Sequence, residues 1–315
     1  MNHPDRTAAP AAPAGPGPRP ARAAGPALVA LALAAGCTGA LALAVDMYAI
    51  GNWSGGNCIL GNTDADRGAW PGMVAAWYDR MGQLGHEKAG QWVDGNMTVQ
   101  RFCDPSWNAA CADTQYVDWP AAAIVAAHGW NAGDRWAALM RNAWKGACST
   151  AMGAGGSMLV GDAKLKFLHA SSCLSLNDSY FGSLAVAMRK PGSAKGLHLM
   201  TGFHGWMWIG PDYAQDYRDT ASHGQATAVA LAWVLNHYKT GLNCASFDPN
   251  GIRGTCSEQC PTAMTVSSDG SLALSRLLNE RYGNANAFGP PSGNSHHAWI
   301  GYVGCDPTGE GPFDP

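Results

Sequence analysis

The segment KFLHASSCLSLND, Lys166–Asp178, decides the fold. An apolar run, Phe167 to Ala170, passes into Ser171-Ser172 and presents one thiol, Cys173. A short apolar run bounded by small turn residues reads as a buried strand. Upstream, AAAIVAAHGWN (Ala121–Asn131) has the same shape and ends at His128-Gly129. Between them lies DRWAALMRNAWK, with Trp136, Leu139, Met140, Ala143 and Trp144 on one helical face and Arg135, Arg141 and Lys145 on the other. That spacing predicts an amphipathic helix capped by Asn131 or Asp134. Strand, helix, strand is a parallel crossover. It would bring His128 and Cys173 to one sheet edge, on strands about 4.8 Å apart. Sites of open α/β sheets form at that carboxyl edge.

Outward from this pair, the chain alternates. Val45 to Ile50 reads as a first strand. AWPGMVAAWYDRMGQLG carries Trp70, Met73, Val74, Trp77, Tyr78 and Met81 at helical spacing, with Pro71 suited to the first turn. WVDGNMTVQRF predicts a strand pair turning at Asp94-Gly95. CDPSWNAAC is short enough to be closed by its own disulfide, and GAGGSMLVGD reads as an irregular glycine stretch. AKGLHLMTGFHGW gives another strand ending near Gly202, followed by His204-Gly205; WIGPDYAQDYRDT reads as loop. SHGQATAVALAWVLNHYKTG predicts a helix opened by a Ser222/Gln225 capping box and closed by Gly241. SLALSRLLNERYG predicts a last helix, and Ala298 to Val303 a last strand. The expected class is α/β, with a mainly parallel central sheet and helices on both faces.

The first 44 residues read differently. An Ala/Pro/Gly-rich start with Arg6, Arg19 and Arg22 precedes an uncharged apolar run, residues 27–45, and Ala42-Leu43-Ala44. This is the pattern of a secretory signal cleaved after Ala44, leaving residues 45–315 as one domain. Two rivals stay open: an uncleaved membrane anchor, or lipidation at Cys37. Export puts the protein outside the cell, in the periplasm or at the cell surface, where thiols oxidise. Of ten cysteines, Cys37 falls in the leader, leaving an odd nine. Cys244, Cys256 and Cys260 mark a Cys-rich insertion at about 241–270. Cys173 is the cysteine that ends an apolar strand, so it is the one left unpaired, as a reactive thiol or a structural leftover. A net charge of −3 with no basic run argues against nucleic acid or an anionic membrane as partner.

A thiol is mostly protonated at neutral pH and needs a neighbouring imidazole to act as a nucleophile. His128 can hand the proton on to a leaving amine. Gly129, with no side chain, can bring its N–H to a developing oxyanion together with the N–H of Cys173. Trp130, Asn131, Asn177, Asp178 and His204 stand where they can line such a site; capping the next helix is the first reading of Asn177 and Asp178, and helix entry explains Asn131 equally well. Cys256-Ser-Glu-Gln-Cys260 and His296-His297 lack zinc spacing, so no metal and no cofactor are expected.

AAIVAAHG (Ala122–Gly129) followed by LKFLHASSC (Leu165–Cys173) resembles the caspase–gingipain–legumain group of cysteine peptidases. The resemblance covers roughly residues 45–240 and rests on two short motifs. It implies a caspase-like fold, a polypeptide substrate, Cys173 as nucleophile, His128 as general acid/base and Gly129 in the oxyanion hole. Ala-Ser-Ser, not Gln-Ala, precedes Cys173, and no Arg-Gly follows it, so no subfamily preference carries over. The alternative from a different class is a non-catalytic secreted binding or surface protein on the same scaffold.

Overall fold

In the computed structural model the described residues are 42–58, 65–242, 257–305 and 307. β1 (Ala44–Ala49), α1 (Trp70–Gln83) and β2 (Glu87–Val93) form the first crossover. α1 buries the predicted stripe, Trp70 to Met81. Each such large side chain contributes about 1.5–3 kcal/mol on leaving water. Leu43 is buried, and its carbonyl accepts the Glu87 N–H at 2.8 Å. The Ala44 carbonyl accepts the Ala121 N–H at 2.8 Å, so the two residues ahead of the expected cleavage point are built into the sheet. The expected strand pair at Asp94-Gly95 is absent. Asp94 takes φ 51°, and its carboxylate accepts the N–H groups of Gly51 and Asn52 at 2.9 and 3.0 Å. That bond ties the end of β2 to the end of β1 instead of turning the chain back.

β3 (Ala122–Ala126), β7 (Phe167–Ser171) and β8 (Leu199–Phe203) are buried at every residue. Burial on both faces is what continuous apolar runs encode. The segment between β3 and β7 corrects the sequence reading. Residues 134–145 are not a helix: β4 (Gly129–Asn131), β5 (Trp136–Trp144) and β6 (Ala147–Met152) make a three-stranded antiparallel sheet. Trp136, Ala138 and Met140 also fit period two, and they are buried. The deciding signal is Lys145-Gly146, with φ 49° and 84°, a two-residue hairpin turn that a helix cannot contain. Asn131 therefore lies in a strand opposite Trp136 and caps nothing.

α2 (Phe181–Ala187) links β7 to β8. The residues read as loop at 208–220 fold instead into α3 (Ala214–Ala226), and α4 (Val229–His237) follows after a break at Thr227-Ala228. Ser222 and Gln225 thus sit in the last turns of α3 rather than at a start; Gln225 meets His86 and Ser222 meets Arg80. Gly241 lies within β9 (Lys239–Leu242), which pairs with β10 (Ser257–Gln259). β11 (Pro261–Ser267), α5 (Gly270–Asn279) and β12 (His296–Ile300) complete the described fold.

The main sheet has seven strands in the order β12-β11-β8-β7-β3-β1-β2. β11 alone runs against the others. Helices cover both faces. Thr265 of β11 donates to the Ala273 carbonyl of α5 at 2.9 Å and is paired with Ala298. Phe181 of α2 packs on His297 and Trp299, which alternate with Ala298 and so face the other way. Disulfides join Cys58 to Cys148, Cys103 to Cys111 and Cys260 to Cys305. Cys244, Cys256, the leader and Cys37 lie outside the described residues. Among the described residues no helix is long and apolar enough to cross a membrane.

Candidate functional site

The central strands set the register. β3 and β7 are parallel neighbours whose last register pair is Ala126 opposite Ser171, and His128 and Cys173 each follow that pair by two residues. On the other side β8 pairs with β7 from Phe167 opposite Leu199 to His169 opposite Thr201. The Leu174 N–H donates to the Gly205 carbonyl at 2.9 Å. Cys173 is therefore held at the carboxyl edge between two strand ends of identical sequence, His128-Gly129-Trp130 and His204-Gly205-Trp206.

The turn that presents the thiol is strained. Leu174 takes φ 57°, a left-handed conformation costing a bulky residue about 1–2 kcal/mol. Ser175 holds it from below: its hydroxyl donates to the Ser172 carbonyl at 2.8 Å and accepts the Phe203 N–H at 3.0 Å. Cys173 is half-buried and, among the described residues, is the cysteine without a disulfide. Burial pushes its thiol above the usual range; the Met207 N–H, the Arg67 charge and the N–H of Cys173 itself offset this in part.

His128 Nε2 lies 2.7 Å from the Ala65 carbonyl. A carbonyl only accepts, so Nε2 carries the proton and Nδ1 is left as the basic nitrogen. The ring sits against Trp53 at 4.5 Å and Trp70 at 5.3 Å between centroids. Burial lowers its pKa, the Ala65 bond opposes that, and Arg67 lowers it further. Both shifts favour neutral partners. Near pH 7 Cys173 is a thiol and His128 a neutral imidazole.

Gly129 is required by space. A Cβ there would collide with Ser172 Oγ and the Cys173 carbonyl and lie 2.6 Å from Trp136 Nε1. The Leu139 N–H donates to the His128 carbonyl at 2.8 Å and the Ala132 N–H to the Arg135 carbonyl at 2.8 Å. In that ladder Gly129 faces Ala138 at a non-hydrogen-bonded position, so its N–H points away from β5.

The remaining expected residues divide. Trp130 is exposed on β4, beside Gly129. Asn177 both caps and tethers: its Oδ1 accepts the Ser179 N–H at 3.1 Å and its amide donates to the His204 carbonyl at 3.0 Å. Asp178 Oδ1 lies 3.8 Å from His204 Nδ1. Asn131 is exposed on β4. The sequence reading did not assign Ala65, Arg67, Trp53 or Met207 to the site. No local motif marks them; the repeated His-Gly-Trp was the signal that could have shown two strand ends flanking Cys173. A cavity of about 580 Å³ opens at the opposite edge, lined by Leu43, Ala121, Leu165, Lys166, His198 and Pro290 among others, and is separate from this site.

Fold and site together define an α/β protein that presents one thiol, flanked by two His-Gly-Trp strand ends, at the carboxyl edge of a mixed sheet. The chain belongs to the DUF6345 family, a domain of unknown function, which matches residues 72–269. No curated protein matches it.

Proposed function

We propose that this protein is a secreted cysteine peptidase of caspase-like organisation, hydrolysing peptide bonds with Cys173 and His128. One observation supports the reading: His128 and Cys173 each follow by two residues the last register pair of the parallel strands β3 and β7, Ala126 and Ser171, and the Ala65 carbonyl leaves Nδ1 as the base. As a peptide carbonyl approaches, the thiol proton passes to His128 Nδ1 and sulfur bonds to the carbonyl carbon. The oxyanion is received by the N–H of Gly129, with the Cys173 N–H beside it. Collapse breaks the C–N bond, and His128 returns its proton to the leaving amine. Water, activated by His128, then hydrolyses the thioester. The three disulfides among the described residues fit the oxidising compartment that secretion provides.

The non-catalytic binding reading retains one specific support: burial holds the thiol protonated rather than ionised. The deciding experiment is digestion of an unbiased peptide pool by the oxidised, full secreted chain, read by mass spectrometry. Cleavage by wild type that Cys173→Ala lowers at least about 10³-fold, with an unchanged melting temperature, is the expected result. Equal cleavage by both proteins, or none by either, ends the peptidase reading.

A further inference from the structure

At the amino edge of the sheet, far along the strands from Cys173, four aspartates converge. Asp104 opens the loop closed by Cys103–Cys111, Asp113 begins the turn Asp113–Gln115, Asp118 precedes β3 and Asp162 precedes β7. Asp104, Asp113 and Asp162 each offer one oxygen, and these three lie within 4.8 Å of one another. Asp104 and Asp113 are fully buried.

Most of the oxygens are accounted for. Asp104 Oδ1 accepts the Ser106 N–H at 2.6 Å, and Asp113 Oδ1 the Thr114 N–H at 2.8 Å. Asp118 is held by the N–H groups of Gly161 and Ala163, at 2.8 and 2.7 Å. Lys190 Nζ bridges Asp104 at 2.7 Å and Asp162 at 2.8 Å. Asp113 Oδ2 and Asp162 Oδ1 are buried and have no hydrogen-bond partner. A fully buried carboxylate oxygen with nothing to bind costs on the order of 1–3 kcal/mol or more.

We propose that Asp104, Asp113 and Asp162 form a calcium site that locks the Cys103–Cys111 loop to the segment leading into β7. Calcium takes six to eight oxygens at about 2.3–2.6 Å, so oxygens on one ion stand at most about 5 Å apart. The three oxygens all lie within that limit, and calcium accepts irregular all-oxygen cages that octahedral magnesium does not. Lys190 occupies the position of a monovalent stand-in. Its side chain is 27% exposed, so it can swing to solvent when the divalent ion enters. Asp113 Oδ2 then gains the partner it lacks.

The test uses the full oxidised chain, freed of metal by chelator, with calcium titrated by calorimetry and by thermal melting, and magnesium as comparator. Wild type should bind one calcium and melt about 5 °C higher in millimolar calcium, and magnesium should give a smaller shift. Asp113→Asn should lose the calcium shift. Lys190→Met supplies the check that survives a folding failure of the first variant. It removes the competing ammonium, so the calcium shift should grow, and calcium should restore what the lost ion pairs cost. Equal wild-type melting in calcium and in chelator with no binding heat overturns the site, as does an undiminished shift in Asp113→Asn. A Lys190→Met protein that is destabilised and indifferent to calcium assigns the cluster to lysine alone.

Discussion

Cys173 stands between two copies of one tripeptide, and the fold uses them in opposite ways. On the β3 side, His128 is half-buried, its Nε2 is fixed by a backbone carbonyl, and Gly129 packs so closely on Ser172 and Cys173 that no side chain fits. On the β8 side, His204 is only 3% exposed. Its N–H donates to the Cys260 carbonyl at 2.9 Å and its carbonyl accepts the Asn177 amide at 3.0 Å. Cys260 is in turn bonded to Cys305. The first copy presents a nitrogen and a backbone N–H; the second staples β8 to β11 and to the turn after Cys173. Sequence identity therefore says little about role. What separates the two is which atoms the neighbours already occupy.

That contrast can be broken by paired substitution. His128→Ala should lower kcat/KM about 10²–10⁴-fold, the range of a lost general acid/base, with little change in melting temperature. His204→Ala should do the reverse: a fall of under about tenfold in turnover, with a clear loss of stability from the vacated buried site. Equal losses of turnover would show that both arms serve chemistry. Gly129→Ala comes next. Its Cβ meets backbone and cannot be relieved by a rotamer change, so turnover should fall about 10²-fold through the displaced oxyanion donor. Retained activity in that variant would remove Gly129 from the hole.

The smallest effect is in the pH profile. His128 has a lowered pKa in the folded chain, so the neutral base persists as pH falls through about 6.5. The acid limb of kcat/KM should lie below that value. The thiol is raised, so labelling that depends on thiolate alone, as in His128→Ala, should climb only above about pH 9. An acid limb at or above 6.5 would mean that His128 is not held as described.

Much of the site's frame was legible in the chain. Continuous apolar runs gave β3, β7 and β8, because strands buried on both faces leave no alternation to read. The Cys103–Cys111 closure followed from loop length, and α1 from helical spacing. Residues 134–145 misled because Trp136 and Met140 satisfy periods of both two and 3.6, and tertiary pairing with β4 and β6 decided between them. The first part of α3, residues 214–220, was read as loop because its polar residues meet partners no local window contains, as Asp216 meets Lys239. The carbonyl of Ala65 and the charge of Arg67 were invisible for a simpler reason. Backbone acceptors have no sequence signature, and both reach the site only through folding of the segment before α1.

The most direct measurement is native alkylation of the unreduced protein with iodoacetamide at pH 7, mapped by mass spectrometry in wild type, His128→Ala and His204→Ala. The account predicts that Cys173 is the labelled cysteine, that its rate falls at least about tenfold in His128→Ala, and that His204→Ala leaves it nearly unchanged. Cys173 found in a disulfide, or labelled at one rate in all three proteins, would contradict the pairing of His128 with Cys173 on which the account rests.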